Sequence, residues 1–110
     1  MHELSITQSI VDSVTARVDG DQVQRVTLVI GRLSGVVADS VRFCFEVCTQ
    51  GTPLEGAELE IIEVPGRALC RTCHDEMELP DLIPLCPCGS ADVDIVGGQE
   101  LTIKQVEVVV

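Results

Sequence analysis

Cys70-Arg71-Thr72-Cys73, twelve intervening residues, then Cys86-Pro87-Cys88-Gly89: these two close thiol pairs decide the fold. Tetrahedral zinc takes four soft anionic ligands about 2.3 Å from the metal, and two turn-borne cysteine pairs supply them without help from a hydrophobic core. The surrounding sequence lacks such a core. From Pro65 to about Gly98 it holds four cysteines, the prolines Pro80, Pro84 and Pro87, and only short apolar pairs such as Met77 with Leu79 and Val93 with Ile95. Units below roughly 40 residues generally need a metal or a crosslink to fold. Residues 66–96 therefore read as a zinc-binding module inserted into a larger domain of residues 1–65 plus 97–110, with Gly66 and Gly97-Gly98 as hinges on either side.

Gly89 suits a tight turn that aims backbone N–H groups at sulfur. The second pair is C-x-C, one residue shorter than the commoner C-x-x-C knuckle, so its turn must differ, and His74 stands as an alternative ligand. Three other chemistries use the same residues. Two disulfides would suit an oxidising compartment. A rubredoxin-like electron carrier would hold iron in four thiolates, usually inside an aromatic shell, and the module has no aromatic residue. Cys70 to His74 also spells the C-x-x-C-H haem-attachment motif, which leaves Cys86 and Cys88 unexplained.

Outside the module, Ile6, Ile10, Val11, Val14 and Val18 recur at helical spacing, predicting a helix to Val18 that Gly20 ends. Ser5 and Gln8 have capping-box spacing, so its start lies at Ser5 or a turn earlier. Val26, Leu28 and Ile30 alternate with Arg25, Thr27 and Val29 in a strand running from Val23 to Gly31. Asp39 and Ser40 precede Val41, Cys44, Phe45 and Cys48, one face of a second helix that Gly51 and Pro53 stop. Asp39 is expected as its N-cap, and Cys44 and Cys48 as small buried hydrophobes. Ala57, Leu59 and Ile61 predict a second strand with a bulge over Ile62 to Val64. A third strand begins at Leu101, and a phase change between Ile103 and Val106 predicts a bulge near Lys104 and Gln105. The expected class is α+β: a small three-stranded sheet with two helices, interrupted by a zinc-ribbon-like four-cysteine module.

Composition narrows function further. The 110 residues carry 18 acidic against 7 basic side chains, a net charge of -11, with no Trp or Tyr and only two Phe. Such a surface repels phosphate backbones and offers almost no face for base stacking, so no nucleic acid is expected as a partner. No stretch approaches the roughly 18 apolar residues of a membrane span, and the N-terminus has no secretion-signal pattern, so a soluble cytoplasmic protein is expected. With two histidines, no Gly-rich phosphate loop and no G-x-S-x-G motif, catalytic residues are not expected.

Met1-His2-Glu3 offers a different chemistry. The α-amine of Met1, the deprotonated amide of His2 and its imidazole can close fused chelate rings on one metal, and Glu3 adds an amide and a carboxylate. Nitrogen-rich, near-planar ligation suits Ni(II) and Cu(II) rather than zinc. Amine and imidazole both titrate near neutrality, so such a site loosens on mild acidification, as suits a carrier that releases its cargo. A solvated second residue without a role is the plainer reading of His2.

Met1-His2-Glu3 before an amphipathic helix, Ile30-Gly31-Arg32-Leu33-Ser34 closing the first strand, Phe43-Cys44-Phe45-Glu46 in the second helix, and the late cluster ending Cys86-Pro87-Cys88-Gly89-Ser90 together resemble the HypA family. The resemblance covers nearly the whole chain. It implies a non-enzymatic nickel metallochaperone for [NiFe] hydrogenase maturation, and in some organisms for urease. Transferable Ni(2+) would sit on Met1, His2 and Glu3, and structural Zn(2+) on Cys70, Cys73, Cys86 and Cys88. It also implies a GTPase partner, HypB, and the hydrogenase large-subunit precursor as client. The C-x-C spacing departs from the family's more frequent C-x-x-C. Exposed strand edges leave room for a homodimer, and Asp39 would approach the N-terminal site if the second helix begins beside the first. The rival function is a zinc-ribbon adaptor without nickel, which leaves Met1-His2-Glu3 without a purpose.

Overall fold

A computed structural model describes residues 3–79 and 83–110. Met1 and His2, which carry the expected nickel-binding amine and imidazole, lie outside the described residues. Helix α1 (Glu3–Val18) starts a turn before a Ser5 cap would place it, so Ser5 is an exposed residue of the first turns. Asp19 and Gly20 end it with φ of 51° and 90°, the left-handed backbone that closes helix C-termini. Strand β1 (Val23–Gly31) follows, then helix α2 (Ala38–Cys48) and strand β2 (Glu58–Val64).

β1 is the central strand. It pairs in parallel with β2, and α2 is the crossover that a parallel pair requires. On its other edge it pairs antiparallel with β6 (Leu101–Val108), giving the order β2-β1-β6. Val26, Leu28 and Ile30 point toward the helices and are at most 1% exposed, packed with Ile6, Ile10, Val11 and Val14 of α1 and Val41 and Phe45 of α2. The three-stranded sheet with two helices is therefore the fold the alternation predicts. Leu54, in the loop before β2, completes this core at 0% exposed; no periodicity marks it.

Three local expectations change. Asp39 is not the cap of α2: Val37 occupies that position without a side-chain cap bond, and Asp39 lies in the first turn, where its charge still favours the helix dipole. The bulge expected at Ile62 to Val64 is absent, since β2 keeps continuous register with β1 from Arg25↔Glu58 to Gly31↔Val64. Ile62 faces away from the helices because it pairs with Val29 on the open side of the sheet, not because the strand kinks. The bulge in β6 is present and falls on Lys104: Thr27 pairs with Gln105 and Leu28 with Ile103. A bulged lysine on an edge strand protects that edge from pairing with another chain.

The cysteine-rich segment forms a second sheet, which its short apolar pairs did not disclose. β3 (Gly66–Cys70) pairs antiparallel with β4 (Glu76–Leu79) and with β5 (Val93–Gly97) in the order β4-β3-β5. Its small core consists of Ala68 and Leu79, with Met77 and Val93 partly buried and one residue from outside, Leu33 of the loop after β1.

Three glycines mark the joint. A Cβ on Gly31 would run into the Gly98 carbonyl, one on Gly98 into the Gly66 backbone, and one on Gly66 into the Leu33 side chain. Two strand connections thus cross the end of β1 in backbone contact, tied by Leu33 N–H to the Gly98 carbonyl (2.7 Å), Arg32 N–H to that of Val64 (2.9 Å) and Gly31 N–H to that of Glu100 (2.7 Å). The glycines serve close approach here. The second sheet continues from the end of the first, giving an elongated molecule of 52 × 25 × 17 Å.

Leu33→Ala should destabilise the second sheet by about 2–4 kcal/mol. Amide hydrogen exchange should then accelerate at Ala68 to Cys70 and stay nearly unchanged at Val26 to Leu28; equal acceleration in both would contradict this packing.

Candidate metal centres

Cys70 ends β3 and Cys73 lies in the turn that leads to β4. The turn is closed by His74 N–H to the Cys70 carbonyl and Cys70 N–H to that of Asp75, both 2.9 Å. His74 takes φ of 66°, so its role is to reverse the chain. On the other side, Gly89 N–H bonds the Cys86 carbonyl (2.8 Å) and Cys86 N–H that of Ser90 (2.9 Å), with Gly89 at φ of 95°. Each turn aims an amide at sulfur: Cys73 N–H at Cys70 Sγ and Cys88 N–H at Cys86 Sγ, both 3.5 Å. The shorter C-x-C turn therefore still forms an amide-to-sulfur knuckle.

The turns are also joined by side chains. Thr72 Oγ1 meets Ser90 Oγ at 2.9 Å, and the Arg71 guanidinium bridges Asp92, just before β5, and Asp94 within it. These ion pairs are exposed, so they add modest stability.

The four sulfurs lie within 4.8 Å of one another, with Cys70–Cys88 at 3.8 Å and Cys73–Cys86 at 3.6 Å. A tetrahedron with metal–sulfur bonds of about 2.3 Å has edges of about 3.8 Å, so the arrangement fits one four-coordinate ion. All six cysteines are free, and a disulfide would need sulfurs about 2.0 Å apart. Exposed His74 is not among the converging groups. Cys70 and Cys86 are buried, whereas Cys73 is half-buried and Cys88 exposed, so the cluster opens toward solvent on the Cys88 side.

The charge balance of the sulfurs also calls for a cation. The Cys73 backbone N–H, helped by that of Thr72, holds the Cys70 thiol down to about 6. At Cys86 the Cys88 N–H pulls the same way but is outweighed by burial and by the surrounding sulfurs of Cys88, Cys73 and Cys70, which push it up to about 12. The Cys70 thiolate is thus favoured while Cys73 and Cys86 are pushed up, a conflict that a divalent ion among the sulfurs would relieve.

The second candidate centre lies at the start of α1. Glu3, half-buried, accepts a long hydrogen bond from Val37 N–H on Oε2 (3.4 Å), so α1 and α2 begin side by side. A depression of about 450 Å³ between them is lined by Glu3, Leu4, Asp39, Ser40, Phe43 and Cys44. Asp39 therefore borders the start of α1 at Glu3 and Leu4. Cys44, expected inside, is half-buried on this wall, because α2 turns Val41, Phe45 and Cys48 inward instead. Cys48 alone behaves as the buried thiol, its pKa raised by burial first and then by Cys44 and Asp12. Phe43, which the inward spacing leaves out, is 69% exposed.

Residues 1–108 match the family described as "HypA: Hydrogenase/urease nickel incorporation, metallochaperone, hypA". The chain is 52% identical over 108 residues to the hydrogenase maturation factor HypA of Nostoc punctiforme, covering 98% of this chain and 96% of the relative. It is 53% identical over 109 residues to that of Rippkaea orientalis, with the same coverage. In structure it is similar to the solution structure of the Ni metallochaperone HypA from Helicobacter pylori, with a TM-score of 0.64 at 22% identity over 98% of this chain and 97% of that one. At that identity the likeness speaks for the fold.

Stripping metal with a chelator, or Cys86→Ser, should unfold the second sheet while the first stays folded, because Leu33, Ala68 and Leu79 are its only buried apolar side chains besides the cysteines among the described residues. In an amide NMR spectrum, residues 66–79 and 86–97 should collapse toward random-coil shifts and Val26 to Ile30 should hold theirs. A second sheet that keeps its dispersion without metal would contradict the account.

Proposed function

The chain belongs to the HypA family of nickel metallochaperones for hydrogenase maturation, and from this we propose a division of labour between two metals. Ni(2+) is the cargo, held by the Met1 amine, the His2 amide and imidazole, and Glu3. Zn(2+) is resident, held by Cys70, Cys73, Cys86 and Cys88. The observation that carries this reading is the whole-length family match, which includes the Met1-His2-Glu3 end.

The chemistry of the two ends supports it. A four-thiolate site leaves no open coordination position, so zinc there stabilises the module, residues 66–96, and performs no reaction. That segment has no aromatic residue to form the shell usual around rubredoxin-type iron. Glu3 accepts a hydrogen bond from Val37 N–H, so the start of α1 is held beside α2.

In this reading the protein carries and transfers nickel and catalyses nothing. It works in the cytoplasm with the GTPase HypB, delivers nickel to the large-subunit precursor of [NiFe] hydrogenase or, alternatively, for urease, and has in β2 a sheet edge through which a homodimer could pair. Among the described residues no helix is long and apolar enough to cross a membrane.

The test is chelator competition with nickel added, read by native mass spectrometry, on the wild type and on His2→Ala. Nickel should be lost from His2→Ala while one zinc per chain remains. Lowering the pH from 8 to 6 should weaken nickel binding in the wild type, because protons compete for the amine and imidazole, whose ordinary pKa values are about 7.8 and 6.5. Nickel retained by His2→Ala, or bound equally at both pH values, would refute the site.

A further inference from the structure

Leu4, Phe43 and Val47 are 54%, 69% and 52% exposed. They are not scattered. Leu4 and Phe43 line the same depression as Glu3 and Asp39, and Phe43 and Val47 are one turn apart on α2, with half-buried Cys44 beside Phe43. The result is an apolar strip running from the start of α1 along α2. It spends one of the chain's two aromatic side chains on solvent.

The edge of the strip is acidic. Glu3 and Asp39 border its upper end and Glu46 lies exposed beside Val47. Arg42, the basic residue adjoining Phe43 in sequence, turns away and donates to the Leu59 carbonyl on β2 at 3.4 Å.

We infer that Leu4, Phe43 and Val47 dock the protein that exchanges nickel with the N-terminal site, a partner presenting an apolar pocket within a rim of lysine and arginine side chains. The inference rests on the nickel site proposed above, since it explains why an apolar strip borders Glu3. Exposed aromatic anchors ringed by charge have the composition of an interface hot spot. The acidic rim adds steering toward a basic face and selects against other occupants. A second copy docked through the same strip about a two-fold axis would set Glu3, Asp39 and Glu46 against their own counterparts. An anionic membrane surface would be repelled in the same way.

The test uses the full zinc-loaded protein and a purified HypB-type GTPase. Three readouts are taken on Phe43→Ser, Val47→Ser, Glu46→Lys and the distant control Leu85→Ser: GTPase affinity by calorimetry, nickel affinity by chelator competition, and mass by sedimentation. Phe43→Ser and Val47→Ser should each weaken GTPase binding tenfold or more, Glu46→Lys severalfold, and Leu85→Ser should not. Nickel affinity should stay within twofold in Val47→Ser, Glu46→Lys and Leu85→Ser, none of which lines the depression at Glu3, and wild-type affinity for the GTPase should fall as salt is raised. Unchanged GTPase affinity in both apolar variants, or no GTPase binding by the wild type, overturns the inference. So does a dimer that Phe43→Ser converts to monomer, since the occupant is then a second copy. Nickel retained by His2→Ala overturns the nickel site separately, because GTPase affinity is read independently.

Discussion

Sulfurs packed this closely resist ionising together, and the second half of this molecule depends on that constraint. Backbone amides from two knuckles stabilise negative charge at Cys70 and Cys86, but burial and mutual repulsion leave Cys86 far above the ordinary thiol range. A tetrahedral cation removes the conflict. It also supplies what the sheet β4-β3-β5 lacks, since that sheet has few buried apolar side chains to offset the entropy of ordering its residues.

The joint between the halves is settled by packing of another kind. Gly31, Gly66 and Gly98 bring three backbone segments into contact where no Cβ would fit, and Leu33 crosses from the first sheet's loop into the second sheet's core. The same loop continues to Val37, whose amide meets Glu3. One short segment thus borders the thiolate module at one end and the start of α1 at the other.

Much of the first sheet was legible in the sequence because its central strand is buried on one face and must alternate; a one-residue slip would turn Val26, Leu28 and Ile30 to solvent. The bulge at Lys104 was legible for the same reason, as a phase change. Asp39 misled because residue preference marks a helix start only to within a residue or two, and here the chain's approach from the Gly31 joint puts Val37 at the cap. Cys44 misled because i, i+3, i+4 spacing admits two neighbouring stripes, and contact with α1 decided between them. The strands β3 to β5 left only short alternating pairs, Met77 with Leu79 and Val93 with Ile95, since much of their burial comes from the cysteine cluster and from Leu33, distant in sequence. The four converging cysteines were visible as spacing alone, because metal geometry constrains ligand type and separation more tightly than fold constrains apolar pattern. Phe43 lies outside the inward stripe of α2, and a pattern that explains the inward face says nothing of what the outward face is for.

The account's central claim is chemical segregation: nitrogen and oxygen for the cargo, sulfur for the resident ion. Among the described residues, the half-buried thiol of Cys44, beside Glu3 and Asp39, is the sulfur placed to violate it. X-ray absorption at both metal edges on doubly loaded protein tests this most directly. The account predicts nickel with only nitrogen and oxygen neighbours, and zinc with four sulfurs at about 2.3 Å. Sulfur in the nickel shell, or fewer than four sulfurs around zinc, would contradict it.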